Sequence, residues 1–287
     1  MEKFFESMEL ITGTVKNLED MNRECFLKKD GDKTLIPDRK EIVKVIKDLQ
    51  SLLFPNYFKH SEGSENVLSQ TELLLNIYNR LVKQIKGAYE FNGTHMDKTP
   101  EELCDVFISR LPEIKKLLIK DIEAIYEGDP AAKCHEEVLI CYPGFYAISI
   151  YRIAHELYAL KVPLIPRVMT EYAHEKTGVD IHAGASIGEY FCIDHGTGIV
   201  IGETTTIGAH VKIYQGVTLG AKSFELDENG LPVKDIKRHP DIGNNVIIYA
   251  NATILGGDTK IGDNCVIGGN TWLTHSVESS STVYYEK

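Results

Sequence analysis

Aliphatic residues recur every six positions through the second half of this chain, and no other feature constrains its fold as much. Ile181, Ile187, Ile193 and Ile199 set the beat, which resumes after a two-residue shift at Ile201, Ile207, Ile213 and Leu219. It returns at Ile242, Ile248 and Ile254, slips by one residue, and continues at Ile261, Ile267 and Leu273. A period of six fits neither an amphipathic helix nor an alternating strand. It fits a parallel β-helix, in which each hexad is a short strand plus a turn and three hexads close one triangular coil. The residue four after each aliphatic position is predicted to face inward too, which places Ala185, Thr197, Val211, Val217 and Val246 inside. Small or β-branched side chains suit so narrow an interior. Gly188, Gly202, Gly208, Gly243, Gly262 and Gly268 follow the aliphatic residue, where the chain bends between flat faces.

Residues 1–165 have a different texture, with helical periodicity and little glycine. Helices are predicted over most of 2–24 and through Pro37 to Phe54, the latter with Ile42, Val45, Ile46, Leu49, Leu52 and Leu53 on one stripe. Ser69 with Glu72, and Thr99 with Pro100 and Glu102, read as capping boxes that open two more helices. The second of these is expected to bend near Pro112 and end before Gly128. Helix is predicted again over about 135–177, interrupted at Pro143-Gly144 and Pro163, with the piece from Pro143 to Leu160 apolar on more than one side.

The expected fold is therefore α+β: an α-helical N-terminal domain over 1–165 that holds subunits together, then a left-handed parallel β-helix over 166–287. One loop, 220–241, is ejected from the coil; it is charged, contains the turn signal Asp227-Glu228-Asn229-Gly230, and ends at Arg238-His239-Pro240.

With 287 residues, 43% of them hydrophobic and 25% charged, the chain has the composition of a soluble protein with a large core. It shows no leader pattern and no apolar run of about 18 residues, so no membrane association and a cytoplasmic location are expected. A formal charge of −11 argues against nucleic-acid binding. Six cysteines without a C-x-x-C pair point to free thiols rather than disulfides or a zinc knuckle.

Among ten histidines, His60, His95, His135, His155, His174, His210 and His275 read as surface or structurally satisfied. His195 differs. Its hexad, Ile193-Asp194-His195-Gly196-Thr197-Gly198, puts an acid and an imidazole where a bland turn belongs, and two glycines clear space beside them. Asp180 precedes it by 15 residues, close to the roughly 18 of one coil, so the spacing predicts a carboxylate on the neighbouring coil that orients the imidazole as a base. A purely structural Asp–His pair is the alternative. Zinc is the other: trimeric β-helices that this chain resembles in its repeat include zinc carbonic anhydrases. Their ligand set includes two histidines five positions apart, and no such pair occurs among the ten here, so no metal is expected.

The segments VDIHAGASIG, DHGTGIVIGE and GVTLG, the Arg238-His239-Pro240 that ends the loop, and the upstream Asp129-Pro130-Ala131 carry a closer likeness. In them the chain resembles the serine O-acetyltransferases of the hexapeptide-repeat acyltransferase superfamily, from about Asp129 to Val277. That resemblance implies transfer of acetyl from acetyl-CoA to the hydroxyl of L-serine, in cysteine biosynthesis. It makes His195 the general base, Asp180 its orienting carboxylate, Asp129 and Asp194 the receivers of the serine amino group, and Arg238 the partner of its carboxylate. His239 helps hold the substrate, and Gly220, Ala221, Ala250 and Gly269 line the acetyl-CoA channel.

The resemblance also implies sites between the subunits of a homotrimer, a dimer of trimers joined through the helical domains, and L-cysteine as a feedback inhibitor at the serine site. Departures are visible. Ala221-Lys222 stands where the family often has Gly-Thr, Val266 replaces a common lysine so that Lys222 or Lys260 must serve the CoA phosphates, and the loop is longer. The isoleucine-terminated tail that binds O-acetylserine sulfhydrylase in many relatives is absent, so that complex is not expected. The alternatives are a hexapeptide acetyltransferase acting on a sugar or another small acceptor, and a non-catalytic β-helix scaffold.

Overall fold

The computed structural model describes residues 2–24, 36–58 and 69–285; Cys25, His60 and residues 286–287 lie outside them. The chain divides into two compact units, 1–35 and 36–287. The first contains helix α1 (Glu2–Glu24), whose apolar residues Phe4, Met8, Ile11, Val15 and Leu18 are all exposed.

Among the described residues the second unit opens with six helices: α2 (Arg39–Leu53), α3 (Gln70–Asn92), α4 (Pro100–Gly128), α5 (His135–Cys141), α6 (Pro143–Ala159) and α7 (Ile165–Thr177). Both predicted capping boxes form, Ser69 with Glu72 and Thr99 with Glu102. Ile42, Val45, Ile46, Leu49 and Leu53 of α2 are buried, and Leu52 is half-buried. Pro112 sits inside an uninterrupted α4, which runs one residue further than its pattern suggests, through Gly128. Among the described residues no helix is long and apolar enough to cross a membrane.

Fourteen short strands follow: β1 (Asp180–Ile181), β2 (Ser186–Ile187), β3 (Cys192–Asp194), β4 (Val200–Ile201), β5 (Thr206–Ile207), β6 (Lys212–Tyr214), β7 (Thr218–Gly220), β8 (Asp241–Ile242), β9 (Ile247–Ile248), β10 (Thr253–Leu255), β11 (Lys260–Ile261), β12 (Val266–Ile267), β13 (Trp272–Leu273) and β14 (Thr282–Val283). They form three parallel sheets in the orders β1-β4-β7-β10-β13, β2-β5-β8-β11 and β3-β6-β9-β12-β14. This is the α+β architecture expected, helices followed by a left-handed parallel β-helix.

The aliphatic beat is the register of those sheets. Ile181, Ile201, Leu219, Ile254 and Leu273 stack in the first, Ile187, Ile207, Ile242 and Ile261 in the second, and Ile193, Ile213, Ile248 and Ile267 in the third. Their glycines serve a purpose other than bending. A β-carbon on Gly188 would lie 2.6 Å from the backbone of Gly208, and one on Gly208 would lie 2.8 Å from that of Gly243, so the coils touch backbone to backbone.

One detail corrects the sequence reading. Thr197 is exposed, and the inner slot it was expected to fill belongs to Ile199, which is fully buried. The cause is that the first coil takes 20 residues, from Ile181 to its register partner Ile201. The surplus is pushed outward at His195-Gly196-Thr197-Gly198.

The first coil has no coil before it, and its carbonyls are instead capped by α6. Tyr151 donates to the Ala185 carbonyl at 2.6 Å, and Arg152 donates to those of Ile187 and Gly188, each at 2.6 Å. Arg152 also forms a two-pronged pair with Asp121 of α4 at 2.9 and 3.0 Å, and Asp121 accepts the Phe191 N–H at 2.9 Å. Arg152 is only 5% exposed and Asp121 is fully buried. This network locks the helices to the coil and covers an otherwise open sheet edge.

Candidate active site

The three sheets meet at three corners. The third corner, where each strand of the third sheet passes into the first, carries residues 195–199, 215–217, 249–252 and 268–271. There the surplus residues form a tight outward turn. His195 is left-handed at φ 58°, Gly196 and Gly198 follow at φ 94° and 84°, and the Gly196 N–H donates to the Asp194 carbonyl at 2.7 Å. Asparagines hold the same left-handed conformation on later coils at Asn251 and Asn270, residues that tolerate it easily. A histidine there is uncommon, and the turn leaves its ring 72% exposed.

Asp194, the last residue of β3, places Oδ1 3.7 Å from His195 Nε2 and Oδ2 3.0 Å from the Lys212 ammonium. Asp129, the C-cap of α4, reaches the same corner. It accepts from the Tyr142 hydroxyl at 2.6 Å and the Ala131 N–H at 2.8 Å, and these two bonds hold its carboxyl below the usual carboxylate range. Gly144, in the first turn of α6, permits this closeness, since a β-carbon there would meet the Ile193 carbonyl at 2.8 Å. Ala250 and Gly269 lie farther along the same corner, one above the other: a β-carbon on Gly269 would be 3.1 Å from the Ala250 carbonyl.

Arg238, His239, Gly220 and Ala221 belong to the first corner, between the first and second sheets. The loop leaves β7 there and returns to β8. Its Asp227 turn forms as the sequence suggests, with Asp227 accepting from the N–H groups of Asn229 and Leu231 at 2.8 and 2.9 Å. Thr204 secures the returning end: its hydroxyl accepts the N–H groups of Arg238 and His239 at 3.0 and 3.1 Å, and its own N–H donates to His239 Nδ1 at 3.1 Å. Burial, with Arg238 alongside, pushes His239 down to about 4, so its ring is neutral.

Arg238 pairs with Glu203, which also accepts from Tyr158 at 2.9 Å. Burial favours the protonated acid, but the bonds from Arg238 and Tyr158 outweigh it and hold the Glu203 carboxyl below its ordinary value. His182 lies in the same cluster, with burial lowering its proton affinity. A cavity of about 550 Å³ under the loop is lined by Lys222, Phe224, Val233, Lys237, Arg238 and Gly257.

The chain therefore brings Asp129, Asp194 and His195 together with Ala250 and Gly269 along one corner, and Arg238, His239, Gly220 and Ala221 along another. Asp180 joins neither group. Its register partner on the next coil is Val200, and among the described residues the carboxylate within 4.0 Å of His195 is Asp194. The 20-residue coil is the reason, because it carries His195 beyond the offset that an 18-residue coil implies. Asp180 instead sits with Glu171 and His174 of α7, one ligand atom of each within 4.8 Å of the others. Arg167 already supplies a cation there, 2.5 Å from Glu171.

Sequence reading missed Tyr142, Lys212, Glu203, Tyr158 and His182. Glu203 and His182 stand inside the segments DHGTGIVIGE and VDIHAGASIG, so their signal lies in the local sequence. Tyr142 and Lys212 gain their meaning only from helices folding back on the coil. The five cysteines among the described residues are all free, and burial raises the Cys192 thiol to about 12, which removes it as a nucleophile.

Residues 61–149 match the family model described as serine acetyltransferase, N-terminal. A plasmid serine acetyltransferase of Synechococcus elongatus is 46% identical over 260 residues, which make up 86% of this chain and 81% of that one. The crystal structure of Entamoeba histolytica serine acetyltransferase 1 in complex with L-cysteine is similar at a TM-score of 0.74 and 36% identity, over 84% of this chain and 86% of that one. The Neisseria gonorrhoeae serine acetyltransferase in complex with serine is similar at a TM-score of 0.57 and 30% identity, over 84% and 80%.

Proposed function

The chain belongs to the serine acetyltransferase family, and on that premise we propose that it transfers acetyl from acetyl-CoA to the hydroxyl of L-serine, giving O-acetyl-L-serine and CoA. The observation that carries this reading is the meeting of Asp129, Asp194 and His195 on one corner. Two carboxylates to receive an ammonium stand beside an exposed imidazole on a tight turn.

His195 takes the proton of the serine hydroxyl as it attacks the thioester, a contribution of typically 10²–10⁴ in rate. The tetrahedral oxyanion is met by a backbone N–H of the Leu219-Gly220-Ala221 turn. His195 then returns the proton to the departing thiolate, and no covalent enzyme intermediate is needed. Asp129 and Asp194 receive the amino group, Arg238 the carboxylate, and His239 binds as a neutral ring. Gly220, Ala221, Ala250 and Gly269 line the acetyl-CoA channel.

The separation of these residues onto two corners supports a homotrimer in which the third corner of one copy faces the first corner of the next. Each site is then completed by two chains. The helical region joins two such trimers, L-cysteine competes at the serine site, and the enzyme works in the cytoplasm.

The test is product identification. With acetyl-CoA, L-serine should yield O-acetyl-L-serine by mass spectrometry, while sugars and other amino acids yield little. If L-serine gives no product above background and another acceptor does, the reading fails.

A further inference from the structure

Lys212 lies at the centre of a polar chain to which the reaction above assigns no role. Its ammonium donates to the Gly128 carbonyl at 2.6 Å, lies 3.0 Å from Asp194 Oδ2, and sits 4.5 Å over the Tyr214 ring. Only 16% of its side chain is exposed. Gly128 immediately precedes Asp129, and Asp194 turns its other oxygen toward His195 Nε2 at 3.7 Å. One lysine therefore connects the end of α4, which carries Asp129, to the strand that carries Asp194 and, through it, to the imidazole.

Two carboxylates sharing a site repel each other and tend to protonate unless a cation stands between them. Lys212 is that cation, and it is well held. Burial alone would lower its proton affinity, but hydrogen bonds to Tyr214 and Asp194 leave it raised above the ordinary lysine value. The contact also relies on Gly128, where a β-carbon would lie 3.6 Å from the ammonium and 3.1 Å from the Cys192 sulfur.

We propose that Lys212 is a positioning residue for the catalytic corner, bolting Asp194 to the end of α4 beside Asp129 and screening the Asp194 charge from His195. This rests on the reading of His195 as the base. Among the described residues, Asp194 on β3 and Asp129 at the end of α4 act on that imidazole, and Lys212 with Tyr214 on β6 stands behind Asp194. Tyr142, ahead of α6, reaches it through Asp129, and Cys192 stands beside Lys212. Lys212 is the one cation among them. Without it, Asp194 stabilises the protonated ring and the base is already withdrawn at a higher pH. A unit charge removed some two contacts away in a partly buried site corresponds to a shift on the order of one pH unit.

The experiment follows the His195 imidazole by NMR titration in wild type, Lys212→Met and Lys212→Arg, with the signal assigned by its loss in His195→Asn. The acid limb of kcat/KM for L-serine is recorded on the same proteins. Both midpoints are expected to rise by about one pH unit in Lys212→Met and to stay at the wild-type position in Lys212→Arg. Lys212→Gln keeps a donor for the Gly128 carbonyl without the charge, and gives the same comparison if the methionine variant folds poorly. A lysine that only supports the fold would lower the melting temperature or kcat and leave the midpoints unmoved, and that result overturns the proposal. A shifted NMR midpoint in an enzyme that does not acetylate L-serine would sustain the role of Lys212 and overturn the functional reading instead.

Discussion

Gly202 lies directly under the imidazole of His239: a β-carbon at position 202 would sit 2.0 Å from the ring. The glycine that follows Ile201 in the repeat therefore makes the seat for a residue 37 positions later. Gly202→Ala should displace the ring and the neighbouring Arg238. Misplacing a substrate-holding group by about 1 Å can cost as much as 100-fold, so kcat/KM for L-serine is expected to fall at least about tenfold. Circular dichroism should show an intact fold. Wild-type kinetics in this variant would remove His239 from the site.

The same buried ring makes a pH prediction. His239 is held at about 4 in the folded chain, against about 6.5 when unfolded. Between those values the unfolded state binds more protons, so stability is fully present above about pH 6.5 and is lost as pH falls toward 4. The loss amounts to at most about 3 kcal/mol. Urea unfolding at pH 7.5 and pH 5 should show a larger drop for wild type than for His239→Asn. Equal drops would mean that the ring is not buried as described.

Arg152 and Asp121 should dominate the union of helices and coil. Breaking a buried pair leaves one charge without compensation, at a cost of about 3–5 kcal/mol. Arg152→Ala also strips the donors from the Ile187 and Gly188 carbonyls. It is expected to unfold at markedly lower denaturant concentration, whereas the exposed-pair variant Lys116→Ala should shift by less than about 1 kcal/mol.

Much of this was legible in the sequence, and its errors have a common origin. The positions Ile181 through Leu273 give the strand register directly, because a narrow coil admits one aliphatic side chain per face and repeats it. The helix starts at Ser69 and Thr99 were equally legible, since a capping box is local chemistry. Thr197 and the expected contact of Asp180 with His195 were misjudged because the repeat was extrapolated at its nominal length through the coil that carries the surplus residues. Lys212 was invisible for another reason. Its partner Gly128 is 84 positions away, and no pattern along the chain reports that α4 ends against β6.

If the site is shared between copies, inactive chains should rescue one another. His195→Ala damages the third corner and Arg238→Ala the first. When the two are unfolded together and reassembled, random mixing in a cyclic trimer leaves about one quarter of the interfaces with both corners intact. Activity should recover to roughly that fraction of wild type, while each variant reassembled alone stays inactive. No recovery would place the whole site within a single chain.

The most direct test of the account is thiol release from acetyl-CoA with L-serine, compared between wild type and His195→Ala. The account predicts serine-dependent release by the wild type and a loss of at least about 100-fold in the variant, with secondary structure and assembly preserved. Equal rates in the two proteins, or no serine-dependent release by the wild type, would contradict it.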